Sequence, residues 1–170
     1  MEIRLTTIIG MIVFAALTRL LPHPPNATAV GAIALFAGAQ LADRRLAFLV
    51  PLVALFLTDL VLGLHQGMAF VYACVAAMVL VGQWLGDRAS VTKLVGASFA
   101  GSVLFFAVTN FGVFLFDGLY DKSLAGLVEC YVMAIPFFQN GLLGDLFFTA
   151  ALFGGFELLR RTLPGLSPAH

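Results

Sequence analysis

The stretch "RLLPHPPNATAVGAIALFAG" (residues 19–38) joins two hydrophobic segments through a polar, proline-rich corner. The prolines between positions 22 and 25 end the first segment, because proline has no backbone N–H to donate within a helix. His23 and Asn26 supply polar side chains, and the next segment resumes with mostly small residues. Proline also reduces the entropy that a corner loses on ordering. We therefore expect this corner to hold polar groups rigidly at the rim of a pocket.

The composition is that of a membrane protein. Hydrophobic residues make up 61% and charged residues 11% of the 170 residues, and the mean hydropathy is +1.03. Soluble domains carry about 25% charged residues, so a single water-soluble core is excluded. Apolar runs near the roughly 20 residues of a spanning helix recur, without the alternation of a β-barrel. We predict an all-α integral membrane protein with one transmembrane domain over residues 1–170, and no nucleic-acid partner.

The apolar runs predict six transmembrane helices, at about 6–21, 27–42, 46–64, 67–86, 94–116 and 141–159. The stretch 117–140 is too polar at its start, and too interrupted by Pro136, to cross the membrane. The apolar spacing between Leu124 and Ile135 predicts a short extra helix across the outer mouth of the bundle. The alternative is an amphipathic helix lying in the membrane interface.

The distribution of lysine and arginine predicts the orientation, since cytoplasmic loops carry an excess of these residues. With the N-terminus inside, the outer face holds only Arg19 and Lys122. The inner face holds the others, which are Arg4, Arg44, Arg45, Arg88, Lys93, Arg160 and Arg161. We predict a multi-pass protein of the bacterial cytoplasmic (inner) membrane with both termini cytoplasmic. The first apolar run lacks a small-residue cleavage site, so we interpret it as a retained span.

Polar side chains concentrate in the outer halves of the predicted spans and in the adjoining loops. Ionisable groups at membrane depth are costly and usually face a cavity or a partner. We therefore expect an outward-facing polar pocket above an apolar plug. The candidate ligand-binding residues are Arg19, His23, Asn26, Asp59, His65, Tyr72, Cys74, Asn110, Glu129, Tyr131, Asn140 and Asp145.

Two of these carboxylates lie inside apolar runs and allow two interpretations each. Asp59, in "FLTDLVLG", could form an ion pair or a capping contact, with Arg19 or His23 as partner. Its other interpretation, which we favour narrowly, is a hydrogen-bond acceptor for a ligand. Asp145, in "NGLLGDLFF", is interpreted first as a charge that complements a helix N-terminus, with ligand contact as the alternative.

The cysteines and histidines do not form a recognisable metal motif. Cys74 is interpreted as a small core residue, or alternatively as a thiolate ligand to a cobalt-bearing molecule. A metal site would need His23 and His65, which are distant in sequence, to converge with a carboxylate. Cys130 follows Glu129, whose charge would disfavour the thiolate. We predict no resident metal or other cofactor.

Small residues form faces that would let helix backbones approach closely. They are Ala27, Gly31, Ala34 and Gly38 on the second predicted span, and Gly96, Ala97, Ala100 and Gly101 on the fifth. Internal packing is one use of such faces, and docking to another membrane subunit is the alternative. The sequence has no nucleotide-binding loop, catalytic triad or zinc-protease motif, so we do not expect an enzyme.

Three stretches resemble a bacterial family of uncharacterised transport proteins. They are "RLLPHPPNATAVGAIALFAGA", "LTDLVLGLH" and "TNFGVFLFDGLYDKSLAGLVECYVMAIPFFQNGLLGDLFF", and the likeness extends over nearly the whole chain. That family is grouped with the substrate-binding S components of energy-coupling-factor (ECF) transporters. The resemblance implies a six-helix bundle that binds a vitamin or metal ion in an outward-facing pocket. A coupling subunit and two ATPases then topple the S component to release its ligand inside.

The first span departs from the S-component pattern. "TTIIGMIVFAALTRLL" (residues 6–21) lacks the Ala-x-x-x-Ala face with which S components dock the coupling subunit. Either the small face of the second span substitutes, or the protein acts alone, as one cobalamin-transporting branch does. In that branch a cysteine ligates cobalt, and Cys74 is the candidate here.

The implied function is uptake of a small scarce nutrient, vitamin-like, with a corrinoid such as cobalamin as one candidate. The alternative belongs to another class: a non-transporting membrane scaffold or assembly protein. In that role, the small-residue faces and the helix at residues 124–135 would organise a partner.

Overall fold

The computed structural model describes residues 2–163 and residue 166, and these residues form helices and turns without any strand. The all-α class is therefore confirmed. The helices are α1 (Glu2–Leu17, extended by a 3₁₀ turn at Thr18–Leu20), α2 (Val30–Gln40), α3 (Arg44–Leu62), α4 (Met68–Leu85), α5 (Val91–Phe116), α6 (Leu124–Met133) and α7 (Ile135–Thr162).

Five helical segments are long and apolar enough to cross a membrane: α1 with its 3₁₀ turn, α3, α4, α5 and α7. Their outer surfaces expose large apolar side chains, such as Phe14, Val61 and Trp84. Such surfaces are stable against lipid rather than water. The chain is a multi-pass α-helical membrane protein.

The second predicted span, at 27–42, does not form a spanning helix. Its helix, α2, has 11 residues, which corresponds to about 16 Å at 1.5 Å per residue. The hydrocarbon core is about 30 Å thick, so α2 covers roughly half of it. The predicted count of six spanning helices is therefore not confirmed.

The last helix begins earlier than the predicted 141–159. It starts at Ile135, and Pro136 lies in its first turn. Proline is tolerated there because the first N–H groups of a helix have no intrahelical partner. The proline therefore begins a helix of 28 residues rather than interrupting it.

α2 lies at the centre of the bundle. The long helices form a closed ring in the order α1, α3, α4, α5, α7 and back to α1, and α2 contacts each of them. Every residue from Ala32 to Gln40 is buried. A helix with apolar and small residues on all sides is stable in this position because every side has a neighbour.

The closest approach of α2 is to α4, through two glycines. A Cβ atom at Gly38 would overlap the Val79 carbonyl oxygen, and one at Gly82 would overlap the Leu35 carbonyl oxygen. The small-residue face of the second predicted span is thus used in internal packing. One of the two expectations for this chain was that this face docks a separate coupling subunit. Because the face is buried, it cannot do so.

Contacts of Arg4 define one end of the bundle, called the Arg4 end below. Its guanidinium donates to the Gln40 side chain at 3.2 Å, lies 3.7 Å from the Asp87 carboxylate and lies over the ring of Phe156. The beginning of α1, the end of α2, the α4–α5 connection and the last turns of α7 therefore share this end. The opposite end, where α1 finishes, is called the pocket end.

Candidate functional site

A cavity of about 420 Å³ lies at the pocket end, beyond the first turn of α2. It is bounded by α4, α5, α7 and residues 26–31. Its mouth lies at the pocket end, where the lining residues His65, Gln66 and Asp117 are exposed. Sites for small molecules typically measure about 300–1,000 Å³. At the Arg4 end, α2 fills the interior of the ring, so the cavity is closed in that direction.

One face of α5 forms the longest wall of this cavity. Its lining residues recur once per helical turn, as one face of a helix requires, and they are Gly101, Ser102, Phe105, Phe106, Thr109, Asn110 and Val113. Asp117, which directly follows α5, continues this wall. Facing stripes of α4 and α7 run from Gly67 to Met78 and from Phe137 to Asp145. The cavity is therefore walled by regular helices, which hold side chains more rigidly than loops do.

The carboxylate of Asp145 lies at the floor of the cavity. It accepts a hydrogen bond of 2.7 Å from the Ser102 hydroxyl, and it faces the backbone N–H groups of Gly31 and Ala32 in the first turn of α2. A Cβ atom at Gly31 would lie 2.5 Å from an Asp145 oxygen, so only glycine permits this approach. The helix N-terminal charge expected of Asp145 is present, but it complements α2 and not its own helix.

The proline corner carries the chain from the surface into the bundle. Asn26 has a φ of 65°, a left-handed conformation that asparagine adopts more readily than most residues. Ala27 donates to the Pro24 carbonyl at 3.0 Å, and its backbone packs directly against Gly144 of α7. Asn26 and Thr28 thereby become part of the cavity wall. Non-helical backbone at membrane depth is tolerated where it is packed in protein and lines a cavity.

Asp59 belongs to an ion pair behind the cavity wall. Its Oδ1 lies 2.9 Å from Arg19 Nη2, and its Oδ2 accepts from the Tyr72 hydroxyl at 2.9 Å. The guanidinium of Arg19 also donates to the Thr58 hydroxyl and to the Leu55 carbonyl at 3.5 Å. Asp59 is 2% exposed and does not line the cavity. The geometry therefore supports the ion pair over the ligand contact that we favoured.

Six of the predicted site residues line the cavity, namely Arg19, Asn26, His65, Cys74, Asn110 and Asp145. The other six do not, namely His23, Asp59, Tyr72, Glu129, Tyr131 and Asn140. The ring of His23 bonds the Leu21 carbonyl at 2.7 Å, outside the cavity. Half of the predicted residues thus lie in the cavity wall. Polarity and depth in the sequence did not indicate the direction in which each side chain points.

α6 does not close the cavity, although we expected it across the mouth. It contacts α5 and α7 but contributes no lining residue. Tyr131 instead donates to the Ala107 carbonyl at 2.6 Å, and burial raises the pKa of its phenol. Burial likewise raises the pKa of the Cys130 thiol. Apolar side chains along its outer face, such as Leu124 and Val128, fit the alternative of an interfacial helix.

Sequence reasoning missed the aromatic part of the wall and several polar residues, of which Ser102 is the one that contacts Asp145. Phe105, Phe106, Phe137 and Phe138 line the cavity, and the rings of Phe106 and Phe138 are 5.0 Å apart. The spacing of Ser102 from Thr109 and Asn110 puts all three on one face of an apolar helix, and that periodicity was the available signal.

No cluster of three or more His, Cys, Asp or Glu side chains that could hold a metal is found within the described residues. Cys74 lines the cavity and is buried. A single thiol can contribute one ligand to a metal that a bound molecule carries, but it does not form a resident metal site.

A family profile matches residues 1–166. The chain belongs to the DUF6580 family. This family is described as one of unknown function, and neither a curated protein nor a solved structure matches this DUF6580 chain. The match spans the five long helices, α2 and α6, so the cavity is formed entirely by residues within the family region.

Proposed function

We propose that this DUF6580 protein captures a small molecule in its cavity and takes it up across the membrane, in the manner of an ECF S component. The observation that carries the proposal is the one-sided cavity. About 420 Å³ of space opens at the pocket end, while the buried α2 fills the Arg4 end. An open channel would lack such a plug, whereas a capture protein needs one.

The charge distribution supports loading from outside the cell. Seven of the nine Lys and Arg residues lie at helix ends or connections on the Arg4 side: Arg4, Arg44, Arg45, Arg88, Lys93, Arg160 and Arg161. Positively charged residues favour the cytoplasmic side. We therefore infer that the Arg4 end, where α1 begins and α7 ends, faces the cytoplasm of a bacterial inner membrane, and that the pocket end faces the outside.

The cavity volume favours a compact molecule. Pockets for drug-sized ligands begin at about 300 Å³, and 420 Å³ is near that lower limit. A vitamin-like molecule fits this size better than an intact corrinoid, so a cobalt contact through Cys74 becomes the less favoured variant of the proposal.

The proposal leaves two mechanisms of energy supply. α2 is buried and therefore unable to dock a coupling subunit, and the first span lacks the usual docking face. Either another exposed helix face docks the coupling subunit with its ATPases, or the protein acts alone. Affinity purification from native membranes distinguishes the two, because the first predicts a co-purified ATPase.

Ligand capture can be tested by mass spectrometry of small molecules retained by the purified protein. Val113→Trp on α5 puts a large side chain into the cavity, and Val103→Trp makes the same change on a surface of α5 where Val103 is 40% exposed. We expect a retained molecule in the wild type and in Val103→Trp, and its loss in Val113→Trp. No retained molecule in any sample, or equal retention in all three, would count against capture in this cavity.

A membrane scaffold is the second candidate function. The observation that favours it is an exposed small-residue surface on α5, where a Cβ atom at Gly96 would meet nothing within 4 Å and Ala100 is exposed. Such a surface permits close approach of another helix. A stoichiometric protein partner without any retained small molecule would favour this function over uptake.

A further inference from the structure

The charged side chains that line the cavity are unequally compensated. Arg19 is paired with Asp59 at 2.9 Å, so its charge is offset outside the cavity. Asp117 and Asp145 also line the cavity, and neither forms a salt bridge with a side chain in the described part of the chain. The interior therefore presents a net negative potential to a ligand.

The two carboxylates lie at different depths. Asp145 is hydrogen-bonded to Ser102 at the floor, whereas Asp117 follows the last residue of α5 at the mouth. Ser102 and Asp117 are fifteen residues apart, which corresponds to about 22 Å along the helix axis. One compact ligand cannot contact both, so Asp117 would attract ligands to the mouth and Asp145 would hold them at the floor.

Aromatic rings line the same space. Phe105 and Phe106 come from α5, and Phe137 and Phe138 come from α7. The face of an aromatic ring is the negative side of its quadrupole and attracts a cation within about 6 Å of its centre. The rings also offer apolar contact area to the rest of a ligand. A cavity lined by both aromatic rings and a buried carboxylate is suited to a cation with an apolar body.

Burial works against the anionic form of Asp145, and the hydrogen-bond donors around the carboxylate offset part of that cost. The Ser102 hydroxyl and the two backbone N–H groups of α2 face the carboxylate, and hydrogen bonds to the charged form favour that form. Since none of these donors carries a full positive charge, the carboxylate retains the capacity to pair with a cationic ligand.

We propose that the ligand of this cavity is a compact organic cation, an amine or quaternary ammonium on an apolar or aromatic body, with its positive group beside Asp145. The inference rests on the proposed function, since it names the chemical class of the molecule captured. It excludes carboxylate- and phosphate-bearing molecules without a cationic group.

Two probes of one shape and opposite charge test the inference. Benzyltrimethylammonium and phenylmethanesulfonate are titrated against the purified protein, with binding measured by calorimetry and unfolding by thermal shift. We expect the cation to bind the wild type at least about tenfold more tightly than the anion. Equal binding, tighter binding of the anion, or binding of neither probe would overturn the inference.

Substitutions in the cavity test which residues produce the preference for the cation. Asp145→Asn keeps the shape and the acceptor for Ser102 but removes the charge, so we expect the cation preference to be lost. Asp117→Asn, at the exposed mouth, provides a second variant that does not disturb the floor, and we expect a smaller loss. Asp121→Asn makes the same change at the pocket end outside the cavity and serves as control. An unchanged preference in both cavity variants would contradict the assignment.

Failure of this inference and failure of the proposed function give different results. If the wild-type protein retains a neutral or anionic molecule that Val113→Trp loses, capture in the cavity stands and the cation class is wrong. If no molecule is retained and neither probe binds, both fail.

Discussion

Arg19, in the 3₁₀ turn that extends α1, and Asp59 of α3 form an ion pair, with Nη2 and Oδ1 2.9 Å apart. Tyr72 of α4 donates to the second carboxylate oxygen at 2.9 Å, so one carboxylate connects three helices of the ring. The same contact neutralises Arg19, which lines the cavity. Stability of the ring and the electrostatic character of the cavity therefore depend on one pair.

Asp59→Asn should destabilise the protein strongly. Removing one partner of a buried pair leaves an uncompensated charge, which costs about 3–5 kcal/mol. We expect a sharp fall in melting temperature in detergent, and partial recovery when Arg19→Gln is added to remove the stranded cation. Asp121→Asn, a loop control, should melt like the wild type. An unchanged melting temperature for Asp59→Asn would show that the ion pair does not stabilise the protein.

The contact between α2 and α4 predicts a position-dependent effect of alanine. Gly38→Ala and Gly82→Ala each introduce a Cβ atom into a backbone carbonyl oxygen of the facing helix, and overpacking of this kind costs about 1–3 kcal/mol. Gly96→Ala is the matched control, because its Cβ atom would meet nothing within 4 Å. Thermal unfolding should separate the first two variants from the third. Similar melting of all three would contradict the central packing of α2.

The left-handed conformation of Asn26 predicts that glycine replaces it better than alanine. Asn26→Ala should cost up to about 1–2 kcal/mol, because alanine keeps the Cβ atom that disfavours the left-handed region and loses the polar side chain with which asparagine compensates for it. Asn26→Gly keeps the conformation accessible and should melt closer to the wild type. The result to watch is the order of the two melting temperatures, and the reverse order would contradict the conformation of the corner.

The orientation predicts which engineered cysteines react from outside the cell. In a background lacking Cys74 and Cys130, Lys122→Cys should be labelled by a membrane-impermeant maleimide, and Arg88→Cys should not. Lys122 lies in the loop after α5 at the pocket end, and Arg88 lies in the α4–α5 connection at the Arg4 end. Labelling of position 88 alone would place the cavity on the cytoplasmic side and would contradict uptake from outside the cell.

The five spanning helices could be predicted because long apolar runs have few alternatives in a chain with 11% charged residues. The run at 27–42 was misjudged because residues 27–29 are apolar or small yet not helical. Hydropathy does not distinguish a short helix that is buried inside a helix bundle from a helix that spans the membrane in contact with lipid. The order of the ring, and hence the central position of α2, depends on tertiary packing.

Only part of the candidate site could be predicted, because polarity in the sequence does not show what a side chain contacts. Asp145 and Asn110 were found by polarity within apolar helices, and both line the cavity. Asp59 was found by the same signal, but it contacts protein groups only, because Tyr72 and Arg19 occupy its oxygens. The sequence indicates which polar groups need a partner at membrane depth. It does not indicate whether that partner is a side chain or a ligand.

The most direct test of the central claim is uptake of the retained molecule, in labelled form, by cells that express the wild type, Val113→Trp or Val103→Trp at equal levels. Capture in the cavity predicts saturable uptake by the wild type and by Val103→Trp, and loss of uptake in Val113→Trp, whose new side chain occupies the space lined by α5. Equal uptake by both tryptophan variants, or no uptake by the wild type above cells without the protein, would contradict the claim.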